Sequence, residues 1–481
     1  MKKKILVANR GEIACRIIRA IQELGYTAVA IYETPDNAAL HISVADEAIW
    51  LGDGPRCDYL NIDKIIKVAK NHNIDAIHPG YGFLAENPDF SKACADNGIT
   101  FIGPTAEVIS KLGDKVTARK IMAEAKIPMV PGTDNLPADE IEAVKMALEF
   151  AKRVKYPIML KATAGGGGRG IRQVDNDGQM KEQLQIARAE AKAAFSSDNI
   201  YMEKVVVKPK HVEVQIIADN FGNTVHLGTR DCSIQRRNQK LVEIAPSLIK
   251  DKKLLDEICD TAVRAAKAAN YTNAGTVEFL IDKDMNFYFM EINTRIQVEH
   301  TVTEMVTGVD IVRTQIKLAF GKQLSFTQSD VQIRGHAIEM RINAEDPKND
   351  FMPEGGKTVT TYRSPGGYGV RLDGFVYQGF TIPQVYDSLL VKLTVFGLSW
   401  NETVDRLRRC LANYVITGPK TTIPFYLQLV YEPHFQSGDF DTSYLENHPE
   451  LLDYKDDDSE VNKLAALIAE IHHKGLNPYA A

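Results

Sequence analysis

An ordered row of polar side chains directly follows an apolar, strand-like segment at Phe287 to Met290. The polar residues, at alternating positions, are Glu291, Asn293, Arg295, Gln297 and Glu299. On an extended backbone, residues two apart face the same side. The row therefore predicts one charged face at the end of a buried strand, provided that the backbone stays extended. The alternative is a solvated strand edge, which would have no need for an acid, an amide and a guanidinium in this order.

Two acids and an amide near this row have the chemistry of a metal-phosphate site. Mg²⁺ prefers hard oxygen ligands, commonly one or two carboxylates, and leaves the other positions to substrate phosphates and water. Glu291 and Asn293 meet this requirement, and Glu278 in the apolar run Gly275 to Leu280 could add a second carboxylate from a neighbouring strand. The sequence therefore predicts a site for Mg²⁺ (or Mn²⁺) where two strands lie side by side.

The length and composition indicate several ordinary globular domains. The 481 residues exceed one typical core, and 44% hydrophobic with 25% charged residues is an unexceptional balance. A formal net charge of -6 argues against a general binder of nucleic acid or anionic membranes, and no apolar run has the roughly 18 residues that cross a bilayer. The six cysteines lack paired metal spacing and the start lacks a signal peptide, so we expect a cytoplasmic protein.

The first hundred residues have the pattern of an α/β domain. They open with a strand, a helix and a second strand, and two further strand-like segments extend the domain to about residue 112. These segments are Ile5 to Ala8, Glu12 to Leu24, Thr27 to Ile31, Ala76 to Ile77 and Thr100 to Ile102. The first turn contains Gly11 alone, so it lacks the glycine fingerprint of a dinucleotide site and does not predict NAD binding.

Four consecutive glycines at 165–168 join two apolar segments. Glycine allows backbone amides to approach phosphate oxygens closely, and Lys161 adds a positive charge at the base of the loop. The string leads into the strand-like Ile171 to Val174 and lacks Gly-Lys-Ser/Thr, which excludes a P-loop. We predict a glycine flap that closes over a nucleotide; the plain alternative is a flexible hairpin.

A third cluster concentrates four cations within eleven residues, at Arg230, Arg236, Arg237 and Lys240. Small anions would be attracted to such a cluster, although charge runs also occur simply as solvated loops. His211, not far upstream, could be an ordinary strand histidine, and no histidine and cysteine grouping there has zinc spacing. Both interpretations of the cluster remain open at this point.

Taken in order, these motifs resemble the biotin carboxylase family of ATP-grasp enzymes over about residues 2 to 445. The matching segments are Val7–Ala14, His78–Asn87, Gly113–Lys115, the glycine flap, Arg230–Lys240, Phe289–Arg295 and Arg341–Asp346. The resemblance implies an α/β and α+β multidomain fold. It implies a Rossmann-like N-terminal α/β domain at 1–112, an ATP-grasp domain at 113–330 with a mobile lid at about 132–205, a β-rich C-terminal domain at 331–446, and a tail at 447–481.

The resemblance also implies a reaction. Bicarbonate attacks the γ-phosphate of magnesium ATP, carboxyphosphate forms and breaks down to carbon dioxide and phosphate, and carbon dioxide carboxylates N1 of biotin. Such a site has to neutralise phosphate charge, orient bicarbonate and stabilise a biotin enolate.

The family motifs imply a role for individual residues of this chain. The implied ATP contacts are Lys115, Lys161, His211, the amides of Gly167 and Gly168, and the adenine segment Glu203, Lys204, Val205 and Val206. The implied Mg²⁺ ligands are Glu278, Glu291 and Asn293. Lys240, Arg295, Gln297 and the Val298 backbone would bind bicarbonate, Glu299 would be its general base, and Arg341 would stabilise the enolate. Arg341 also fits by pattern, since Glu339, Arg341 and Asn343 alternate with apolar residues.

One position departs from the family pattern. Many members have histidine where this chain has Asn238, a position associated with nucleotide contact. An amide can still donate a hydrogen bond but cannot carry imidazolium charge. We expect ATP use to be retained.

The chain has no Ala/Val-Met-Lys-Met motif for attached biotin and no room for a carboxyltransferase. The resemblance therefore implies a free-standing subunit, a homodimer, that works with a biotin carboxyl carrier protein and a carboxyltransferase subunit. The final acceptor stays open among acetyl-CoA, propionyl-CoA, pyruvate and 2-oxoglutarate. The tail segment Val461 to His472 has apolar residues at helical spacing, which fits a surface helix or a docking element.

Two other functions remain open. A different ATP-grasp ligase, joining a carboxylate to an amine or forming carbamoyl phosphate, would share the flap and the metal acids. A catalytically silent scaffold subunit would be expected to lose some of the implied catalytic and metal residues. Lys240, Glu278, Glu291, Arg295 and Glu299 are all present.

Overall fold

The computed structural model of this protein describes residues 2–54, 58–163, 170–195 and 197–454. The flap glycines Gly167 and Gly168 and the tail helix expected at Val461 to His472 lie outside these ranges. Within them, no helix is both long and apolar enough to span a membrane. The five cysteines in the described ranges are free and buried.

The N-terminal part is a five-stranded parallel sheet of order β3-β2-β1-β4-β5 with helices packed on it. The strands are β1 (Lys4–Val7), β2 (Thr27–Glu33), β3 (Glu47–Gly52), β4 (Ala76–His78) and β5 (Thr100–Phe101). The helices are α1 (Gly11–Glu23), α2 (Leu40–Val44), α3 (Ile62–Asn71), α4 (Pro88–Asp96) and α5 (Ala106–Gly113). The buried side of α1 places Ile13, Ile17 and Ile21 at helical spacing against Ile5 and Val7 of the sheet. The strands and the helix expected from the sequence are found within two residues of their predicted ends.

A short helix and a separate small layer follow. The helix is α6 (Lys115–Glu124), and the layer consists of α7 (Glu140–Val154), β6 (Ile158–Ala162), β7 (Ile171–Val174), α8 (Met180–Phe195) and β8 (Ile200–Lys204). The three strands form an antiparallel sheet of order β7-β6-β8, and the layer has a hydrophobic core of its own that includes Leu160, Leu184 and Met202. The two apolar segments that flank the glycine run are thus paired strands, and this layer coincides with the predicted lid.

The largest layer is an eight-stranded antiparallel sheet of order β15-β14-β9-β10-β13-β16-β21-β20. Its first part contains β9 (Lys210–Ala218), β10 (Thr224–Asp231), β11 (Gln235–Arg236), β12 (Gln239–Lys240), β13 (Val242–Ala245), α9 (Lys252–Ala268), β14 (Asn273–Ile281), β15 (Phe287–Asn293), α10 (His300–Thr307) and α11 (Ile311–Ala319). The strands β11 and β12 form a separate hairpin. Helix α9 packs Ile258 and Ala262 against Val214 and Phe279 of the sheet.

The remaining elements belong to the predicted C-terminal domain. They are β16 (His336–Asn343), β17 (Glu345–Asp346), β18 (Met352–Pro353), β19 (Thr361–Arg363), β20 (Val370–Gly374), β21 (Leu389–Gly397), α12 (Trp400–Asn413), β22 (Val415–Thr417), α13 (Ile423–Leu429), α14 (Pro433–Ser437) and α15 (Tyr444–Asn447). Strand β16 pairs with β13 across the predicted domain boundary, with Glu243 opposite Glu339. One sheet therefore runs without interruption through both parts of the molecule.

Candidate active site

A β-bulge brings two carboxylates to one face of the sheet. Glu278 on β14 lies opposite Glu291 on β15, whereas the next residue, Phe279, lies opposite Phe289, so Met290 is the extra residue of the bulge. In a regular strand Phe289 and Glu291 would face the same side. The bulge instead leaves Phe289 in the hydrophobic core and turns Glu291 toward Glu278.

The two carboxylates have opposite electrostatic environments. Solvent reaches Glu291, yet burial of the carboxylate by the protein around it and then the charge of Glu278 raise its pKa. Burial alone would also raise the pKa of Glu278, but Lys240 and His211 outweigh burial and hold that pKa well below its usual range. The charge of Glu278 thus disfavours a negative charge on Glu291, and a divalent cation between the two carboxylates would relieve this repulsion.

The backbone does not stay extended after these acids. Strand β15 ends at Asn293, the chain bends at Thr294 and Arg295, and α10 begins directly after Glu299. The single extended row predicted from the sequence is therefore wrong as a description of the backbone. The side chains converge by a different route, because a bend turns several of them back toward Glu278.

Hydrogen bonds show this convergence. The amides of Asn293 and Gln297 each donate to Oε1 of Glu278 at 2.8 Å. Arg295 donates to Oδ1 of Asn293 at 3.1 Å and, through Nε, to Glu86 at 2.8 Å. Glu86 lies in the loop after β4 and also accepts from the Thr294 amide at 3.1 Å. The bend is thus fixed from the N-terminal domain.

Lys240 lies at the centre of the acidic groups. Its Nζ is 3.0 Å from Glu278 Oε1 and 2.8 Å from Glu299 Oε1, and it also pairs with Glu213. Burial alone would lower the pKa of Lys240, but the surrounding carboxylates raise it, so the ammonium is retained. One lysine therefore connects the candidate metal acids to the candidate general base.

Arg341 holds the other oxygen of Glu299. Its Nη2 is 3.1 Å from Glu299 Oε2, and its Nε donates to Glu243 Oε1 at 2.7 Å. Burial alone would raise the pKa of Glu299, but Lys240 and Arg341 outweigh it and lower that pKa. Glu299 is therefore a carboxylate at neutral pH, held at both oxygens.

The basic cluster is neither a solvated loop nor an open anion site. Arg230 is fully buried and binds Glu213, Gln215, Thr276, Gln297 and Thr303. Arg236 and Arg237 pair with Asp350 of the C-terminal domain. Each cation of the cluster thus has a carboxylate partner. The four do not form one unit, because Arg230 is buried, Arg236 and Arg237 face the C-terminal domain, and Lys240 faces the candidate site.

His211 extends the same network from β9. Its Nε2 lies 2.9 Å from Glu278 Oε2, and its Nδ1 lies 3.2 Å from the Gln235 amide nitrogen. The ring is buried, so its orientation is set by these two partners. It is more than an isolated strand histidine.

Three of the candidate ATP residues, Lys161, Glu203 and Lys204, lie on neighbouring strands of the small layer. Lys161 on β6 donates to Glu203 on β8 at 2.5 Å, and Arg119 of α6 donates to the same carboxylate at 2.7 Å. Lys204 donates to the backbone oxygens of Lys155 and Tyr156, both at 2.9 Å. The Glu203 side chain is thus the link between this layer and α6.

The other candidate ATP residues lie at the borders of these elements. Val205 and Val206 directly follow β8, and the Val205 amide donates to the Pro157 oxygen at 3.1 Å. Lys115 begins α6 and acts electrostatically on Glu291.

Asn238 is exposed at the tip of the β11–β12 hairpin. Arg237 and Asn238 have φ of +48° and +62°. A two-residue turn with both φ values positive favours asparagine, so Asn238 fits the geometry of this turn. Val298 lies one residue before Glu299, and its carbonyl accepts from Lys392 at 3.0 Å.

Several residues of the site were not identified from the sequence. They are Glu86, Glu213, Glu243, Arg230 as a buried hub, and Lys392. Alternation in β9 places Glu213 on the same face as His211, which was a usable signal. Glu86, Glu243 and Lys392 reach the site through long-range packing that no local pattern reveals.

Comparison with known proteins identifies the family. Residues 1–109 match the family described as biotin carboxylase, N-terminal domain; residues 114–327 match carbamoyl-phosphate synthase L chain, ATP binding domain; and residues 339–447 match biotin carboxylase C-terminal domain. Biotin carboxylase 1 of Bacillus subtilis (strain 168) is 50% identical over 450 residues, covering 93% of this chain and 99% of that protein. The chain belongs to the biotin carboxylase family.

Other members of the biotin carboxylase family are similar over their full length. The 2-oxoglutarate carboxylase small subunit of Hydrogenobacter thermophilus is 48% identical, covering 98% of this chain and 100% of that protein. A crystal structure shows the biotin carboxylase domain dimer of the 2-oxoglutarate carboxylase from the same organism, in complex with MgADP, ADP and bicarbonate. It is similar to this chain with a TM-score of 0.90 and 48% identity, covering 95% of this chain and 100% of that one. The multidomain fold predicted from the sequence is confirmed.

Proposed function

We propose that this protein uses ATP and bicarbonate to carboxylate N1 of biotin on a separate carrier protein. The observation that carries the proposal is the position of Lys240, 3.0 Å from Glu278 and 2.8 Å from Glu299. The ammonium group of Lys240 lies between Glu278, a proposed metal ligand, and Glu299, the proposed base for bicarbonate. Both halves of carboxyphosphate formation can therefore occur around one lysine.

Phosphoryl transfer is the first step. A bicarbonate oxygen bonds to the γ-phosphorus as the bond to the β-phosphate oxygen breaks, so ADP leaves and Glu299 takes the bicarbonate proton. Lys240, Arg295, Gln297 and the Val298 backbone hold bicarbonate for in-line attack. Positioning and charge stabilisation supply most of the rate enhancement in such transfers.

The low pKa of Glu299 in the free protein has a direct consequence. A carboxylate paired with Lys240 and Arg341 is a weak base. When bicarbonate binds, Lys240 shares its charge with the new anion, which raises the pKa of Glu299 toward that of a working base. Substrate binding thus activates the base.

Three side chains fit a magnesium ion, those of Glu278, Glu291 and Asn293. They offer two carboxylates and an amide oxygen, and a cation would relieve the repulsion between the two carboxylates. The ion would neutralise charge on the β- and γ-phosphates. Lys161, Lys115 and His211 would contact ATP, together with Gly167 and Gly168, Asn238, and the segment Glu203, Lys204, Val205 and Val206 for adenine.

Biotin carboxylation is the second step. The carbon–oxygen bond of carboxyphosphate breaks to give carbon dioxide and phosphate. The released phosphate takes the proton from N1 of biotin, and N1 bonds to carbon dioxide. The Arg341 guanidinium would stabilise the negative charge on the ureido oxygen. The hydrogen bond of 3.1 Å between Arg341 and Glu299, the proposed base, supports this role.

We propose the domain division 1–112, 113–330 and 331–446, which the separate family matches support. The carrier protein, the carboxyltransferase subunit and a homodimeric state are further parts of the proposal, and a cytoplasmic location stays a prediction. The relatives serve different acceptors, so similarity to them does not choose among acetyl-CoA, propionyl-CoA, pyruvate and 2-oxoglutarate. Assays with carrier proteins of each kind would test the four acceptors.

The carbamoyl phosphate alternative is disfavoured because that family description matches only residues 114–327, whereas both flanking matches are biotin carboxylase domains. A silent scaffold is disfavoured because Lys240, Glu278, Glu299 and Arg341 form one connected network.

The test measures phosphate release from ATP with and without bicarbonate, and then with free biotin added. We expect release to depend on bicarbonate and to rise with biotin. Equal release with and without bicarbonate would contradict the proposal.

A further inference from the structure

A second grouping of histidine and glutamate lies in the C-terminal domain, outside the candidate active site. Its sequence is two mirror-image tripeptides, Glu432-Pro433-His434 and His448-Pro449-Glu450. They frame α14 and α15, and the proline in each limits the backbone freedom between its acid and its histidine.

Both imidazoles converge on one carboxylate oxygen. Oε1 of Glu432 is 2.7 Å from Nδ1 of His434 and 4.0 Å from Nδ1 of His448. The ligand atoms of these three residues all lie within 4.8 Å of one another. Glu450 adds a second carboxylate, 2.8 Å from the same nitrogen of His448. Two histidines and one or two carboxylates at such separations form a donor set typical of zinc.

The other oxygen of Glu432 fixes this geometry. Oε2 accepts from the Phe435 amide at 2.7 Å and from the Tyr444 hydroxyl at 2.6 Å. The Tyr444 ring also packs on His448, with centroids 4.7 Å apart. Oε1 is thereby aimed at the imidazoles, as hydrogen-bonded partners orient metal ligands in known sites.

The spacing of the two rings around Glu432 suits one cation. The ring centroids of His434 and His448 are 5.1 Å apart. Nδ1 of His434 lies 2.7 Å and Nδ1 of His448 lies 4.0 Å from Oε1 of Glu432. One divalent ion beside this carboxylate could take both nitrogens as ligands.

We propose that Glu432, His434 and His448 bind a divalent transition-metal ion such as Zn²⁺, with water or Glu450 in the fourth position. The side chain of His434 is 54% exposed, which leaves an entry path for the ion. This site is independent of the proposed carboxylation activity.

The ion would act as a structural clamp. It would join the two ends of segment 435–447, which contacts the start of β9: the Thr442 amide donates to the Pro209 oxygen at 3.0 Å, and Lys210 donates to the Phe440 oxygen. His211 is the next residue of β9. Binding would therefore restrain the segment that supports the beginning of this strand.

The test uses the full-length chain without a histidine tag, dialysed against Zn²⁺ with excess Mg²⁺ and then analysed for zinc per chain. Because zinc could also bind the active-site acids, the measured quantity is the difference from the double variant His434→Gln/His448→Gln. We expect the double variant to hold one zinc fewer per chain. The control His72→Gln, at an exposed histidine after α3, should hold as much zinc as the unmodified chain.

Circular dichroism verifies the fold of each variant. If the double variant does not fold, His434→Gln alone decides the question, because this exposed ring can be replaced without opening the core. Absorption of the Co²⁺-substituted protein gives a second measurement, since tetrahedral Co²⁺ with nitrogen ligands absorbs strongly in the visible range and the variant should lose that band. Equal zinc content and equal Co²⁺ spectra in the unmodified and variant chains would overturn the proposal.

Discussion

The lid layer, from about 132 to 205, and the eight-stranded sheet hold their charged groups in different ways. In the lid layer, Glu203 receives two cations, Lys161 and Arg119, with side chains 25% and 21% exposed. In the sheet, Arg230, Glu213 and Glu243 are buried completely. The lid also has a hydrophobic core of its own. The sheet therefore keeps a fixed arrangement of charges. We propose that the lid layer moves as a unit, which its separate core and few, partly exposed ion pairs support.

The strongest test of the fixed region is Glu299→Gln, which keeps the shape of the side chain and removes the base. We expect bicarbonate-dependent ATP hydrolysis to fall by about 10² to 10⁴-fold, the usual scale of general-base catalysis, while ATP affinity is retained. Steady-state phosphate release and a nucleotide-binding titration measure the two quantities. Retained turnover would place the base on another residue.

Arg230→Ala tests whether a buried ion pair contributes more to the free energy of unfolding than an exposed ion pair does. Removing one member of a buried ion pair typically costs about 3 to 5 kcal/mol in the free energy of unfolding. Here the buried Glu213 would lose one of its two cationic partners, Arg230, and keep Lys240. The matched change in the lid is Arg172→Ala, which removes an exposed pair with Glu190 and should cost about 1 kcal/mol or less. Denaturant unfolding compares the two. Similar losses would remove the distinction between the regions.

Arg341→Ser separates the two half-reactions within the sheet. If its charge acts only on the biotin enolate, the variant should still hydrolyse ATP with bicarbonate but form about 10²-fold less carboxybiotin, as for loss of an oxyanion-type donor. Labelled carboxybiotin and phosphate are measured in one reaction. A parallel fall of both would show that Arg341 serves ATP or the fold instead.

Lys161→Gln is expected to have the smallest effect. Loss of one charge-assisted contact on the lid layer should raise the KM for ATP by about 10-fold with little change in Tm. Steady-state kinetics and a thermal melt provide both values. A large fall in Tm would mean that the lid contributes to the global fold.

The sequence predicted elements whose signal is local. Glu278, Glu291 and Asn293 were placed together by strand patterning, and the apolar segments flanking the glycine run were recognised as strands. The family resemblance supplied what patterning could not, namely the roles expected for Lys240 and Arg341. In each case the information was contained in neighbouring residues or in the order of motifs.

The predictions that failed depended on non-local geometry. The extended row was wrong because Glu86, some two hundred residues upstream, fixes a bend at Thr294 and Arg295. The bulge at Met290 separates Phe289 from Glu291, which alternation alone would put on one face. The basic cluster was left open between a solvated loop and an anion site, because the partners of Arg230 and Arg236 lie in other strands and in the C-terminal domain.

The pairing of β13 with β16 has a consequence for how this protein can be inherited and produced. A gene cut near residue 330 would separate the two strands and leave each half with an unpaired, apolar strand edge, such as Val242 to Ala245. Bare edges of this kind pair with other chains and aggregate. The ATP-binding and C-terminal parts are therefore one unit of expression, to be fused or transferred whole.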